Sequence, residues 1–331
     1  MDGSVYTRRV SLFFPVMPLR PDIVEGFARI VRDAGLARLW MGQSLTFDTY
    51  HLFAYLAGRG LKVPTGTAVT VMPLRHPYEA AVEARSVALF TGQPMTAGFG
   101  PGAVEFVTSL RGSGYRSPLT ASREYLSMVR SLVRGEPVEL NGEYHSLHGM
   151  LPPLPDAPPV DVGVGVLRAG MAKVAGEVAD AAITWLTPLP YILDVLAPAM
   201  RQGAQEQDRK PPRIVSLVHF GVDRPGRDAR RLVLAANDKH LGTRHYTAML
   251  RSAGLKADPQ DPAGGADALV ESGVFLTGSA QRIAERVIEH LDAGVDEVVL
   301  SPGGVLLAHG EQAALADLRE VVSALGGSAR A

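Results

Sequence analysis

Pro159-Val160-Asp161-Val162-Gly163-Val164-Gly165-Val166-Leu167-Arg168-Ala169-Gly170-Met171 is an apolar run of strand length that passes through two glycines directly into a stretch of helical character. Val160 to Val164 reads as a buried strand and Met171 to Val178 as a helix. Ala181 to Trp185 is a second apolar run beyond it, which makes one strand-helix-strand unit. Working outward, the same alternation recurs. Upstream, Val10 to Phe14, Ala37 to Met41, Val63 to Val71 and Met95 to Gly98 are strands. The first three are followed by helices at Asp22 to Ala34, Thr46 to Ala57 and Pro77 to Leu89, and a long loop separates the fourth from a helix at Ser122 to Arg134. Downstream, Arg213 to Val222 is the seventh strand, and Glu297 to Leu300, after a helix at Ala280 to Ala293, is the eighth. Eight strands alternating with helical stretches predict an α/β chain folded as a (β/α)8 TIM barrel. An open doubly wound sheet would produce the same alternation, but the strand count and the absence of a full dinucleotide fingerprint favour the closed form.

The chain has 331 residues, enough for two domains by length, yet no low-complexity linker divides it, so residues 1–331 are read as one barrel domain. Residues 223–277 are too long for a simple connection and carry helical segments at Arg230 to Leu241 and Tyr246 to Ala253. They are read as a helical insertion between strands seven and eight, with a mobile loop at Pro259 to Gly265. Glu311 to Leu325 is the last helix, and 326–331 a flexible tail. Apolar residues at 46% and charged residues at 20% provide for a full core. With 33 Lys+Arg against 34 Asp+Glu, the net charge of −1 gives no basic excess for nucleic acid or an acidic membrane surface. There is no cysteine, which excludes disulfides, thiolate metal sites and a cysteine nucleophile. The first residues lack a long apolar stretch, and a cytoplasmic protein with no membrane partner is expected.

Two glycine turns follow strands: Gly98-Phe99-Gly100-Pro101-Gly102, and Gly163 to Gly170. Main-chain N–H groups at a helix start hold anions, and Arg168 could add a forked donor. The second turn is neither a P-loop, because Met171 and Ala172 stand where Lys and Ser/Thr are needed, nor a dinucleotide motif, because Arg168 stands at its third glycine. Phosphate binding and a plain packing turn both remain open at this level. The nine histidines show no metal spacing and no nucleophile triad is present. His145 and His148 read as solvated, His76 as a cap or packing group before Pro77, and Trp40 and Trp185 as strand-end core or rim residues. His219, near the end of strand seven, would reach a barrel rim or be a satisfied core group.

The opening run, continuing through Ala175-Gly176-Glu177-Val178-Ala179-Asp180 to Thr184-Trp185-Leu186-Thr187-Pro188, resembles the luciferase-like oxidoreductases of the bacterial luciferase superfamily, particularly their coenzyme F420-dependent branch. Gly66-Thr67-Ala68-Val69 with Arg75-His76-Pro77, the turn Gly98 to Gly102, Arg123-Glu124-Tyr125 through Gly142-Glu143-Tyr144, and Gly278-Ser279 to Val299 agree in order. The resemblance implies a flavin or deazaflavin bound at the C-terminal rim. Its ring would rest on a bulge with a non-prolyl cis peptide at Ala68 and Val69, and Gly98, Gly100, Pro101 and Gly102 would run past it. Its phosphate would lie on the amides of Gly165, Val166, Leu167 and Arg168. The chain departs from the family where many F420 relatives carry Asp-His, having Gly42-Gln43, and where some place an acid, having Ala103. Gln43, Glu105 and His219 are left as weak catalytic candidates. The implied activity is F420H2-dependent hydride transfer to an activated C=C or C=N bond of a small molecule or modified peptide, with a dehydroamino acid as one such substrate. The alternatives are a reduced-FMN monooxygenase and a non-catalytic accessory subunit. A homodimer is implied as well.

Overall fold

The computed structural model describes residues 4–327. Eight strands form the frame: β1 (Val10–Phe14), β2 (Leu39–Met41), β3 (Thr65–Thr67), β4 (Met95–Gly100), β5 (Val160–Gly165), β6 (Ala181–Trp185), β7 (Arg213–Val222) and β8 (Glu297–Ser301). Each pairs in parallel with the next, and β8 pairs with β1, so the ring closes without an edge. An open sheet is excluded. Both faces of every strand are covered, which is why the strands read as continuous apolar runs: nine of the ten residues of β7 are buried.

Side chains alternate between the helical shell and the lumen. The lumen is filled by Phe13, Trp40, Ile183, Val215, Leu217 and Val299, a second core distinct from the one between strands and helices. Its floor, at the N-terminal strand ends, is polar. Glu297 is 3% exposed and accepts hydrogen bonds from Ser11 Oγ at 2.5 Å, Trp40 Nε1 at 2.7 Å and Arg38 Nε at 3.0 Å, with Arg213 at 3.3 Å. Packing and polar groups thus seal the lower end.

Several boundaries differ from the sequence reading, each for a local reason. The third strand is interrupted: β3 stops at Thr67, a cis Ala68–Val69 peptide follows, and pairing resumes at Thr70–Val71. The expected loop after β4 contains a helix (Val104–Arg111), and the helix that follows begins at Pro118, capped by Ser117. Beyond that helix lies an antiparallel hairpin (Val138–Asn141 with Ser146–Gly149), whose turn is held by Glu124 accepting from the amides of Glu143, Tyr144 and His145. Between β7 and β8 lie four helices: Ala229–Leu241, Arg244–Ser252 and Pro262–Glu271, then, after a strand, Phe275–Gly278, which pairs with His219–Val222, the helix Ala280–Asp292. Pro259 to Gly265 is therefore an ordered turn and helix start: Asp261 caps Gly264 at 2.9 Å and Pro262 occupies the first helical turn. The last helix continues to Gly327, and residues 328–331 of the expected tail lie outside the described residues. Among the described residues no helix is long and apolar enough to cross a membrane.

Candidate active site

A cavity of about 990 Å³ opens at the C-terminal ends of the strands, the end at which barrel loops assemble binding sites. Pockets for drug-sized ligands span about 300–1,000 Å³, so this one has room for a cofactor head and a second small molecule.

One wall is made by β3, β4 and β5. Ala68 and Val69 form a bulge on it, fixed by main-chain bonds from Ala68 N to Met41 O at 2.8 Å and from Gln43 N to Val69 O at 3.0 Å. The Gln43 side chain also accepts from Val71 N at 3.3 Å. Gln43 thus brackets the bulge from both sides, and its role here is support. Behind it Arg75, 8% exposed, pairs with Asp48 and Glu83, and Asp48 in turn caps the helix Thr49–Gly58. His76 caps the next helix, Pro77–Thr91, accepting from Tyr78 N at 3.2 Å.

The glycines of the fourth-strand turn divide into two jobs. A Cβ on Gly98 would stand 2.1 Å from Thr67 O and 2.4 Å from Ile183 Cδ1, so Gly98 packs behind the bulge and does not line the cavity, contrary to expectation. Gly100, Pro101 and Gly102 do line it. A Cβ on Gly100 would be 2.9 Å from Val69 Cγ2, and Gly102 has φ +82°, which favours glycine.

Gly165, Val166, Leu167 and Arg168 also line the cavity, but their amides are not equivalent. Val166 N–H is committed to Ile183 O at 2.7 Å, which removes it from the expected phosphate contact. The amides of Leu167, Arg168, Ala169, Gly170 and Met171 have no main-chain acceptor among the described residues, and Ala172 N–H is the first to find one, Arg168 O at 3.0 Å. The Arg168 side chain is exposed at the mouth and makes no hydrogen bond or ion pair among the described residues. The amides without a main-chain acceptor therefore begin at Leu167, two residues further along the chain than the expected start at Gly165.

The opposite wall comes from β1, β6 and the helices between β7 and β8. Phe13 packs edge-on to Trp185 with centroids 5.3 Å apart. Trp185 meets His240 at 5.2 Å, and His240 meets Tyr246 at 4.8 Å. Burial pulls His240 down to about 4 and raises Tyr246 far above its ordinary value, so both are neutral at pH 7. His245, beside Tyr246, is lowered by burial and by Arg168.

His219 is 2% exposed and lies behind Trp185 with centroids 4.7 Å apart, outside the cavity lining. Burial lowers it to about 3. Both of its ring nitrogens lack a partner among the described residues, as do Trp185 Nε1, both polar atoms of Asn237, His240 Nδ1 and Ser301 Oγ. His219 and Ser301 are register partners at the tops of β7 and β8, on the lumen side that Leu217 and Val299 occupy below them. Buried polar atoms of this kind are ordinarily satisfied by ordered water.

Glu105 is exposed in the first turn of the helix Val104–Arg111 and does not reach the lining. Of the three catalytic candidates only Gln43 touches the cavity. His145, expected to be solvated, is half-buried, lies edge-on to Tyr125 at 5.4 Å and is lowered to about 4 by burial. The residues that sequence reading missed are His240, His245 and Tyr246. Their helices were foreseen, but nothing in the chain signals that these helices lean over the barrel mouth. Among the described residues no cluster of His, Cys, Asp and Glu could hold a metal.

The family described as luciferase-like monooxygenase matches residues 15–297. A 5,10-methylenetetrahydromethanopterin reductase of Methanolobus tindarius is 23% identical over 298 residues, 83% of this chain and 89% of that protein. An F420-dependent glucose-6-phosphate dehydrogenase of Mycobacterium avium is 28% identical over 174 residues, 50% of this chain and 51% of that protein. The solved structure of a coenzyme F420-dependent tetrahydromethanopterin reductase from Methanopyrus kandleri superposes with a TM-score of 0.72 at 20% identity, covering 95% of this chain and 99% of that one.

Proposed function

The chain belongs to the luciferase-like monooxygenase family, and we propose that within it the protein is an F420H2-dependent reductase. The observation that carries this reading is the amide cradle from Leu167 into the helix Ala169–Val178, on the same side of the cavity as the Ala68–Val69 bulge, which Gly165 abuts. The residues fit such a cofactor. The unpartnered amides and Arg168 would hold its phosphate, and Gly100 and Gly165 leave the approach to Val69 free of side chains. When bound, reduced F420 would supply a hydride, which carries both electrons of the reduction, without activating oxygen. The protein's own work is then to place an activated C=C or C=N bond within about 3–3.5 Å of the donor carbon and to keep bulk water out.

The names of the relatives by sequence support F420, while the similar solved structures include FMN enzymes as well. The sugar-oxidising relatives' substrate is not carried over, because no carboxylate lines the cavity and Gln43 has no proton to give at neutral pH. The proton that completes reduction comes from water, a tyrosine or the substrate. A dehydroamino acid or another small conjugated molecule is the substrate class first considered.

Titration with F420 and with FMN, followed by fluorescence, tests the reading. F420 is expected to bind at least about tenfold more tightly, about 1.4 kcal/mol. Tighter FMN binding with oxygen consumption would make the protein a monooxygenase, and affinity for neither would favour an accessory role.

A further inference from the structure

We propose that the wall facing the amide cradle receives a flat, uncharged organic ring system as the acceptor substrate, seated on Trp185, His240 and Tyr246. This rests on the reading of the cavity as a shared cofactor and substrate site, and it names the class of the second occupant.

The residues that line the cavity include no Asp, Glu or Lys, and Arg168 alone among them carries a fixed charge. Arg168 lies at the cradle, and its charge reaches His245 beside Tyr246; with cofactor bound it is engaged by the phosphate. A charged substrate lodged against the far wall of the loaded enzyme would then lose hydration and find no free counter-charge. The far wall is instead a run of rings, Phe13, Trp185, His240 and Tyr246, with successive centroids 4.8–5.3 Å apart. It is held in place from behind by His219 against Trp185. Ring faces and edges recognise flat π-systems through offset and edge contacts, and the gain is specific to geometry. The imidazole of His240 and the phenol of Tyr246, both neutral, can bond a carbonyl, hydroxyl or ring nitrogen on such a molecule. The approach is of the same character: Met17, Val104 and Leu119 line the cavity and are 38–63% exposed, an apolar rim over which a greasy molecule would pass.

The test uses the full chain, with and without saturating F420, titrated calorimetrically with 2-naphthol, 2-naphthoate, 2-naphthylmethylammonium and glucose 6-phosphate. Naphthol is expected to bind in both forms. In the F420-saturated form the two charged naphthyl probes should bind at least about a hundredfold more weakly, and glucose 6-phosphate should not bind. Trp185→Ala and His240→Ala should each weaken naphthol by about tenfold or more. Trp185→Phe should keep most of the affinity, which separates loss of a ring from loss of the fold. Equal binding of charged and neutral probes, no naphthol binding, or naphthol affinity unmoved by Trp185→Ala would overturn the proposal. Failure of F420 to bind in its own fluorescence titration would strike the cofactor reading alone, because naphthol binding is also measured in cofactor-free protein.

Discussion

Ala169→Pro isolates the anion cradle from every other feature of the site. Ala169 is exposed at the first position of its helix, and the residue before it, Arg168, is extended at φ −143° and ψ 161°. Proline fits that position and that predecessor, and it deletes one N–H while leaving the helix whole. Stability should hold steady or rise by about 0.4–1 kcal/mol through the stiffer unfolded chain. Cofactor affinity should not hold. A hydrogen bond to a charged group contributes about 1.5–3 kcal/mol, so F420 should bind about 10- to 150-fold more weakly. Arg168→Gln is the graded companion: its side chain is exposed and screened, so the loss should be only about 0.5–1 kcal/mol and should shrink as salt rises. The assay is fluorescence titration with F420 and, in parallel, with the phosphate-free deazaflavin, whose binding should be unchanged by Ala169→Pro. Unchanged F420 affinity, or equal losses for both ligands, would refute the cradle.

Three further outcomes follow from the frame around the site. Glu297→Ala strands Arg38, Arg213, Trp40 Nε1 and Ser11 at the barrel floor and should lower stability by about 3–5 kcal/mol, read as a fall in the urea midpoint of Trp40 fluorescence. Gly98→Ala drives a methyl into Thr67 O, 2.1 Å from its ideal position. It should destabilise by about 1–3 kcal/mol and also weaken F420, since the bulge must move, as a thermal melt and a titration on the same sample would record. Acid should destabilise the fold through His219. Its folded value, about 3, lies below the unfolded one, so its stabilising contribution is complete above about pH 6.5 and is lost as pH falls towards 3, by up to about 1.4 kcal/mol per pH unit. His240 acts in the same direction. In His219→Phe the dependence of the unfolding midpoint between pH 6 and 4 should be shallower than in the parent.

The barrel was legible because each strand is buried on both faces and so leaves an apolar run in the chain, as in Val160 to Gly165 and Arg213 to Val222. The bulge and the glycine-to-helix turn could be placed by residue number through their resemblance to a known family. Finer geometry was not legible. Whether Val166 N–H faces a ligand or Ile183 O depends on the sheet partner, and that partner lies seventeen residues away in the chain. Gly98 and Gly100 are two residues apart in one motif, yet only the packing around them shows that one is pressed against Thr67 O and the other faces the cavity. His219 was read as a rim group or a satisfied core group; it is buried behind Trp185, and neither ring nitrogen has a partner among the described residues, a setting fixed by tertiary packing and not by any local pattern.

A crystal structure of the protein soaked with F420 tests the account where it is most exposed. The expected result is a phosphate oxygen about 2.7–3.2 Å from the main-chain nitrogens of Leu167 through Gly170, with the ring system against Val69 and the Trp185 side of the cavity still open. A phosphate held elsewhere on the barrel, or a ring lying on the Trp185 to Tyr246 wall, would contradict it.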